Sequence, residues 1–166
     1  MTTFEKITAL LDQQQASYRV VEHEAIGQTE QISQIRGNLL GQAAKAMVLE
    51  VSMPDGAPSR QLLAIVPGDC RINFKSAARA IGGKKSSFAA PELAQALTGC
   101  VMGAVPPFSF DDRLVLRVDT RLQQVGTLWF NAGELEKSIA LAVDDYFRIV
   151  GEGCCADIAT PIAVTA

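Results

Sequence analysis

Two aliphatic runs divided by a breaker-rich loop set the first constraint on this chain. The first is Ala43-Ala44-Lys45-Ala46-Met47-Val48-Leu49-Glu50-Val51 and the second Arg60-Gln61-Leu62-Leu63-Ala64-Ile65-Val66. Runs this short, rich in branched and long aliphatic side chains, are buried strands when turn residues close them. Here Ser52-Met53-Pro54-Asp55-Gly56 ends the first and Pro67-Gly68-Asp69 the second. The connection carries Pro54, Gly56 and Pro58, which predicts an antiparallel hairpin. Alternation along a strand places Lys45 on the face of Met47, Leu49 and Val51. Either that face is the core side and the ammonium at its edge is paired, hydrated or used, or Lys45 opens the strand and snorkels outward.

The rest of the composition narrows the setting. A chain of 166 residues, 48% hydrophobic and 20% charged, supplies one well-formed core and too little for two comfortable ones. No apolar stretch approaches the length that spans a bilayer, and the N-terminus lacks a basic region followed by a hydrophobic segment, so a cytoplasmic protein is expected. Cys70, Cys100, Cys154 and Cys155 form no Cys-x-x-Cys pair and stand at no metal-ligand spacing from the single histidine, His23. They are expected to be free thiols, with an adjacent redox pair at Cys154 and Cys155 as the alternative. A net charge of −3 argues against a large nonspecific nucleic-acid surface. Arg71, Lys75, Arg79, Lys84 and Lys85 are nevertheless close in sequence, either as a local phosphate-binding patch or as a solvated helix face with a charged turn.

Phe4, Ile7, Leu10 and Leu11 recur at helical spacing and predict a first amphipathic helix ending near Gln13. Tyr18-Arg19-Val20-Val21-Glu22 follows as a strand. Thr29 is the expected N-cap of a second helix that turns Ile32 and Ile35 inward and stops at Gly37. Residues 74–81 and 91–97 are expected as short helices, closed by Gly82-Gly83 and by Gly99, with Pro91 suited to a first helical turn. Strands are predicted at Cys100-Val101-Met102, 114–118, 125–131 and 138–142, and a last helix around Tyr146 and Phe147. Residues 151–166 hold little to bury and are expected as a loose tail. The predicted class is α+β: a curved or barrel-like, mainly antiparallel sheet flanked by short helices.

Several catalytic signatures are missing: the Gly-x-Ser-x-Gly elbow, the Walker loop, Gly-x-Gly-x-x-Gly and a second histidine. Chemistry must then use Lys45, hydroxyls, amides such as Asn131, backbone amides, or the substrate itself. Gly103-Ala104-Val105-Pro106-Pro107 suits the backbone role, because glycine permits close approach and two prolines stiffen the turn. Its free amides could face an oxyanion; the other reading is an ordinary proline-containing turn between strands.

Ala44-Lys45-Ala46-Met47-Val48-Leu49, Ala64-Ile65-Val66-Pro67-Gly68-Asp69, Gly103-Ala104-Val105-Pro106-Pro107-Phe108 and Phe130-Asn131-Ala132-Gly133, in this order, resemble the YbaK and prolyl-tRNA synthetase-associated editing domain family. The resemblance covers residues 1–150, with 151–166 left over. It implies a single α+β domain that hydrolyses the ester of mischarged aminoacyl-tRNA carrying a small amino acid, without a metal or organic cofactor. It places the family lysine at Lys45 and its Gly-x-x-x-Pro loop at Gly103 and Pro107. It further implies substrate contacts at Ala104, Pro106, Pro107 and Asn131, and His23 matches a histidine common after the first strand, there either a substrate contact or structural. Met47, Leu49, Val101, Met102 and Phe108 are candidate pocket walls or plain core. An activated ester needs only a placed water and a stabilised oxyanion, and the resemblance implies that the 2′ hydroxyl of the terminal adenosine helps activate that water. The implied partner is the tRNA acceptor end, with a synthetase or elongation factor meeting the same tRNA; the chain leaves its oligomeric state open. A noncatalytic module binding the acceptor end or a small ligand is the alternative.

Overall fold

The computed structural model describes residues 1–26 and 28–162. It begins with helix α1 (Thr3–Gln13), strand β1 (Tyr18–Glu22) and helix α2 (Thr29–Arg36). The expected hairpin follows as β2 (Ala44–Ser52) and β3 (Arg60–Pro67), then come β4 (Cys70–Ile72), α3 (Phe74–Ala80), β5 (Lys85–Phe88) and α4 (Pro91–Thr98). The second half supplies β6 (Leu114–Asp119), β7 (Thr127–Asn131), β8 (Lys137–Ala142), α5 (Val143–Val150), β9 (Cys155–Ala156) and β10 (Ala159–Pro161). The class is α+β, with curved sheets that do not close into a barrel.

The largest sheet has the order β5-β2-β3-β6-β9. β2 pairs antiparallel with β3 from Ala44 opposite Pro67 to Val51 opposite Arg60, while β6 joins β3 in parallel and β9 joins β6 in parallel. β3 is therefore central, and residues 62–67 are buried without alternation, as in a strand covered on both faces. Leu63 and Ile65 face one cluster with Ile7, Leu11, Phe130, Ile139 and Tyr146. Leu62, Ala64 and Val66 face the other, with Leu49, Val51, Ala77, Ala78 and Ile158. A second antiparallel sheet, β1-β8-β7, carries Asn131 at the end of β7.

Four local expectations give way to the structure. Gln28 occupies the N-cap of α2, Thr29 is its first helical residue, and Ile35 is exposed although Ile32 is buried. A helix of two turns buries a narrow stripe, and Ile35 lies just outside it. Cys100, Val101 and Met102 form no strand. After the left-handed Gly99 the chain turns, Ala104 N–H donates to Val101 O, and Val101 and Met102 are exposed. The strand expected at 125–131 begins only at Thr127, after the short turn of residues 120–124.

The fourth difference concerns the segment expected as a loose tail. Over its described residues it is packed: β9 extends the large sheet, β10 pairs with β4, and Ile158 is fully buried. The clamp is Asp119, whose fully buried carboxylate accepts from Ile158 N at 2.9 Å, Ala159 N at 3.0 Å and Arg121 N at 3.1 Å. Among the described residues no helix is long and apolar enough to cross a membrane.

Asp119→Ala is expected to cost about 3 kcal/mol, because three backbone donors lose a charged acceptor inside the fold. Urea denaturation checks the magnitude, and the amides of Ile158 and Ala159 should exchange hydrogen faster than those of β3.

Candidate active site

β2 has one edge fully paired and one edge half open. Its pairing with β5 covers only Leu49 to Ser52, and beyond it Ala89 N–H donates to Val48 O at 3.0 Å. In an antiparallel strand alternate residues turn their peptide groups to opposite edges. Ala46 therefore turns its N–H and C=O to the side of Val48 O, past the point where β5 ends. A cavity of about 200 Å³ lies along this edge, lined by Ala44, Lys45, Ala46 and Met47 from β2, Thr29, Ile32 and Arg36 from α2, Met102, Gly103 and Val105 from the loop, and Trp129, Phe130 and Asn131 from β7. Two larger clefts, of about 420 and 390 Å³, lie elsewhere, and neither gathers Lys45, Gly103 and Asn131.

Lys45 is half-buried, on the strand face that holds Leu49 and Val51, and its Nζ donates to Cys70 O at 2.9 Å. The side chain is thus neither fully buried nor turned away to solvent; it stands at the end of a buried face, and the residue lines the cavity.

The loop is set by one amide. Asn131 is buried, and its Nδ2 donates to Gly103 O at 2.8 Å and Ile26 O at 3.1 Å, while its Oδ1 accepts from Ser138 Oγ at 3.1 Å. Gly103 has φ +88°, a left-handed conformation that suits glycine and strains other residues. Its N–H bonds no other described residue. The Ala104 amide is committed to Val101 O, and Ala104 O accepts from Gly133 N at 2.9 Å. Behind the loop, Tyr146 Oη donates to Pro107 O at 2.7 Å.

Ser138 Oγ is a junction. Arg36 Nη1 donates to it at 3.1 Å, and His23 Nε2 lies 2.6 Å away. His23 Nδ1 is 2.7 Å from Glu24 O. A carbonyl only accepts, so Nδ1 carries a proton, and a neutral ring then competes with Asn131 Oδ1 for the single hydroxyl proton of Ser138. Arg36 also donates through Nε to Asn38 Oδ1 at 2.9 Å and stands 5.7 Å from the centre of the Trp129 ring. Burial pulls its guanidinium down to about 10, and among the described residues no carboxylate pairs with it. A desolvated cation at a cavity wall favours an anion there.

Of the residues expected from sequence, Lys45, Gly103 and Asn131 come together in the cavity. Ala104, Pro106 and Pro107 are buried behind it and do not line it; Val105 does. His23 does not line it either and reaches it through Ser138 and Asn131. Met47 and Met102 are wall residues, whereas Leu49 and Phe108 are core and Val101 is exposed. Sequence reasoning missed Arg36, Thr29 and Trp129; the only signal for Arg36 was a cation in the last turn of a helix with little apolar surface. Burial pushes the Cys154 thiol up to about 11 and raises Cys155 as well, so neither is predisposed to form the reactive thiolate. Among the described residues no three His, Cys, Asp or Glu side chains gather as ligands for a metal ion.

The family model for the aminoacyl-tRNA editing domain matches residues 23–149. The multifunctional Ser/Thr-tRNA deacylase ProXp-y of Escherichia coli strain K12 is 44% identical over 148 residues, which are 89% of this chain and 87% of that protein. The crystal structure of hypothetical protein APE2540 superposes with a TM-score of 0.79 at 18% identity, covering 93% of this chain and 99% of that one. A candidate trans-editing enzyme for prolyl tRNA synthetase gives 0.77 at 23% identity, with 96% and 98% covered. These two structures show the fold alone.

Ser138→Ala is expected to cost about 2 kcal/mol, since it leaves the buried Asn131 Oδ1 and an Arg36 N–H without their partner. Chemical denaturation measures that loss, and a crystal structure of the variant should show the Asn131 amide or the Gly103 loop displaced.

Proposed function

The chain belongs to the aminoacyl-tRNA editing domain family, and we propose that it hydrolyses, in trans, the ester of mischarged aminoacyl-tRNA carrying a small amino acid. The observation that carries the reading is the convergence of Lys45, Arg36, Gly103 and Asn131 on one small cavity. Two cations, together with the Gly103 N–H that bonds no other described residue, suit an ester flanked by phosphate. The curated relative's name, Ser/Thr-tRNA deacylase, makes seryl and threonyl esters the first to test.

Among the described residues lining the cavity none is a carboxylate, a histidine or a cysteine. With no carboxylate or histidine among those residues to serve as general base for the Thr29 hydroxyl, we assign the attack to water and not to a protein nucleophile. Gly103 N–H binds the carbonyl oxygen as it becomes an oxyanion, and Asn131 holds that amide in place through Gly103 O. Lys45 and Arg36 hold the phosphate of the terminal nucleotide and orient the ester. The free 2′ hydroxyl of the terminal adenosine activates the attacking water. The carbonyl–oxygen bond to the ribose breaks, and the amino acid and the tRNA leave with a free carboxylate and a restored hydroxyl.

Selectivity follows from size. A cavity of about 200 Å³ is below the roughly 300–1,000 Å³ of pockets that take drug-sized ligands. Met47 and Met102 wall it, and size exclusion of this kind completes a discrimination that a synthetase cannot make by binding alone. We take residues 1–150 as the editing unit, with 151–166 as a C-terminal segment whose described residues pack against it. Its place of work is the cytoplasm, where a synthetase or elongation factor meets the same tRNA.

Wild-type protein is expected to release serine or threonine from charged tRNA, and to do so after dialysis against EDTA. Lys45→Ala should lower kcat/KM by about a hundredfold, the scale of misplacing the ester by about 1 Å when its orienting contact is lost. Arg36→Ala should act mainly on KM, by about tenfold, the scale of one phosphate contact. If no ester in a panel of charged tRNAs is cleaved while tRNA still binds, the protein is a binding module and the proposal fails.

A further inference from the structure

The charge of this chain is segregated. Residues 71–85 carry Arg71, Lys75, Arg79, Lys84 and Lys85 and no acid, so in a chain of net charge −3 the remainder stands at −8. All five side chains are exposed. Among the described residues none of the five makes a salt bridge or a side-chain hydrogen bond, so nothing within the fold neutralises them. A solvated helix face of ordinary composition would interleave both signs.

The fold lays these cations out from the cavity. Lys45 donates to Cys70 O, and Arg71 is the next residue. Helix α3 then covers the β2 face that carries Lys45, burying Ala77 and Ala78 against Leu49 and Val51. Lys75 and Arg79, four apart, share its outer side. At the start of β5 Lys84 N–H donates to Ser52 O, seven residues from Lys45 along β2, a path of roughly 23 Å at the rise of a strand, while Lys85, opposite Ser52, turns to the sheet face away from α3. Between the two ends Phe88 pairs with Leu49 and leaves its ring 61% exposed, propped edge-on by Phe74 at 5.2 Å between centroids. Cations in a row with an open aromatic face are the combination that binds a phosphate backbone and stacks an unpaired base.

We propose that the α3–β5 face, from Arg71 to Lys84, is the docking surface for the acceptor arm of the tRNA whose 3′ end enters the cavity. The inference rests on the editing reading. A free amino acid ester or a nucleotide cannot span the distance from Lys45 to Lys84; a nucleic-acid strand can. An acidic protein surface would meet the same cations but would find no use for the exposed Phe88 ring. The strip makes the substrate a charged tRNA and not any small ester, and it supplies affinity without touching the reacting atoms.

The test is the double charge reversal Lys75→Glu, Arg79→Glu in the full chain, with circular dichroism and Tm confirming the fold. Two substrates are compared: full-length seryl-tRNA and a seryl ester on the trinucleotide that ends it. The variant should raise KM for the tRNA about tenfold or more with kcat little changed, and should flatten the dependence of log(kcat/KM) on log salt by about 1 to 2 units. Hydrolysis of the trinucleotide ester should match the wild type. An unchanged KM and salt slope for the tRNA overturns the docking surface while leaving the editing reading intact, and an equal loss on both substrates overturns it too. If the wild type cleaves neither ester, the editing reading fails, and filter binding of uncharged tRNA decides the surface alone: equal binding by wild type and variant overturns it, and a tenfold loss supports it.

Discussion

The buried amide of Asn131 is the constraint on which the site depends. A carboxamide shut away from water must satisfy two donors and an acceptor locally. Here the donors reach Gly103 O and Ile26 O, and the acceptor takes Ser138 Oγ. One side chain thereby fixes the loop after α4, the segment before α2 and the neighbouring strand β8. Arg36 and His23 are tied to the same junction through Ser138. The glycine of the loop keeps its left-handed backbone, and its N–H remains available, because the polar demand beside it is met from the other side.

The second element of the site is a strand edge left half unpaired. An open sheet edge is ordinarily a hazard, because its donors and acceptors invite another chain. In this fold the open half of β2 is screened by α2, by the glycine-proline loop and by β7, so its peptide groups face a cavity. The cavity walls combine the backbone and alanines of β2 with Met47, Met102, Trp129 and Phe130, and two cations, Lys45 and Arg36, line them as well. That is a surface able to hold and orient an already reactive ester, and it explains how a chain with a single histidine and unreactive thiols can host hydrolysis. The charge segregation of α3 and β5 extends the same logic outward.

Local signals were legible where neighbouring residues decide the outcome. The β2–β3 hairpin, α1, the glycine that ends α2 and the proline that opens α4 follow from alternation, helical spacing and backbone chemistry. Cys100, Val101 and Met102 misled because three apolar residues carry no ladder of their own; the fold buries Cys100, leaves Val101 exposed and brings Met102 to the cavity. The segment after residue 150 misled for the complementary reason. Its few apolar residues look insufficient alone, yet Asp119, far back in the chain, supplies a buried carboxylate that holds Ile158 and Ala159.

What the sequence by itself determined was the inventory: a strand with a lysine near its start, a loop only glycine adopts easily, an asparagine after an aromatic pair, and a basic segment without acids. These are short-range facts, written in spacing and residue type, and they pointed to Lys45, Gly103 and Asn131. The tertiary structure decided their company. It closed Ala104, Pro106 and Pro107 into the support of the loop, set His23 two hydrogen bonds away from the cavity-lining Asn131, and brought Arg36 and Trp129 to the cavity wall. It also placed β6 parallel to β3 and laid the basic strip across the face of Lys45. Parallel pairing, burial and desolvation depend on which distant residues come to share a space, and no window of the sequence contains that information.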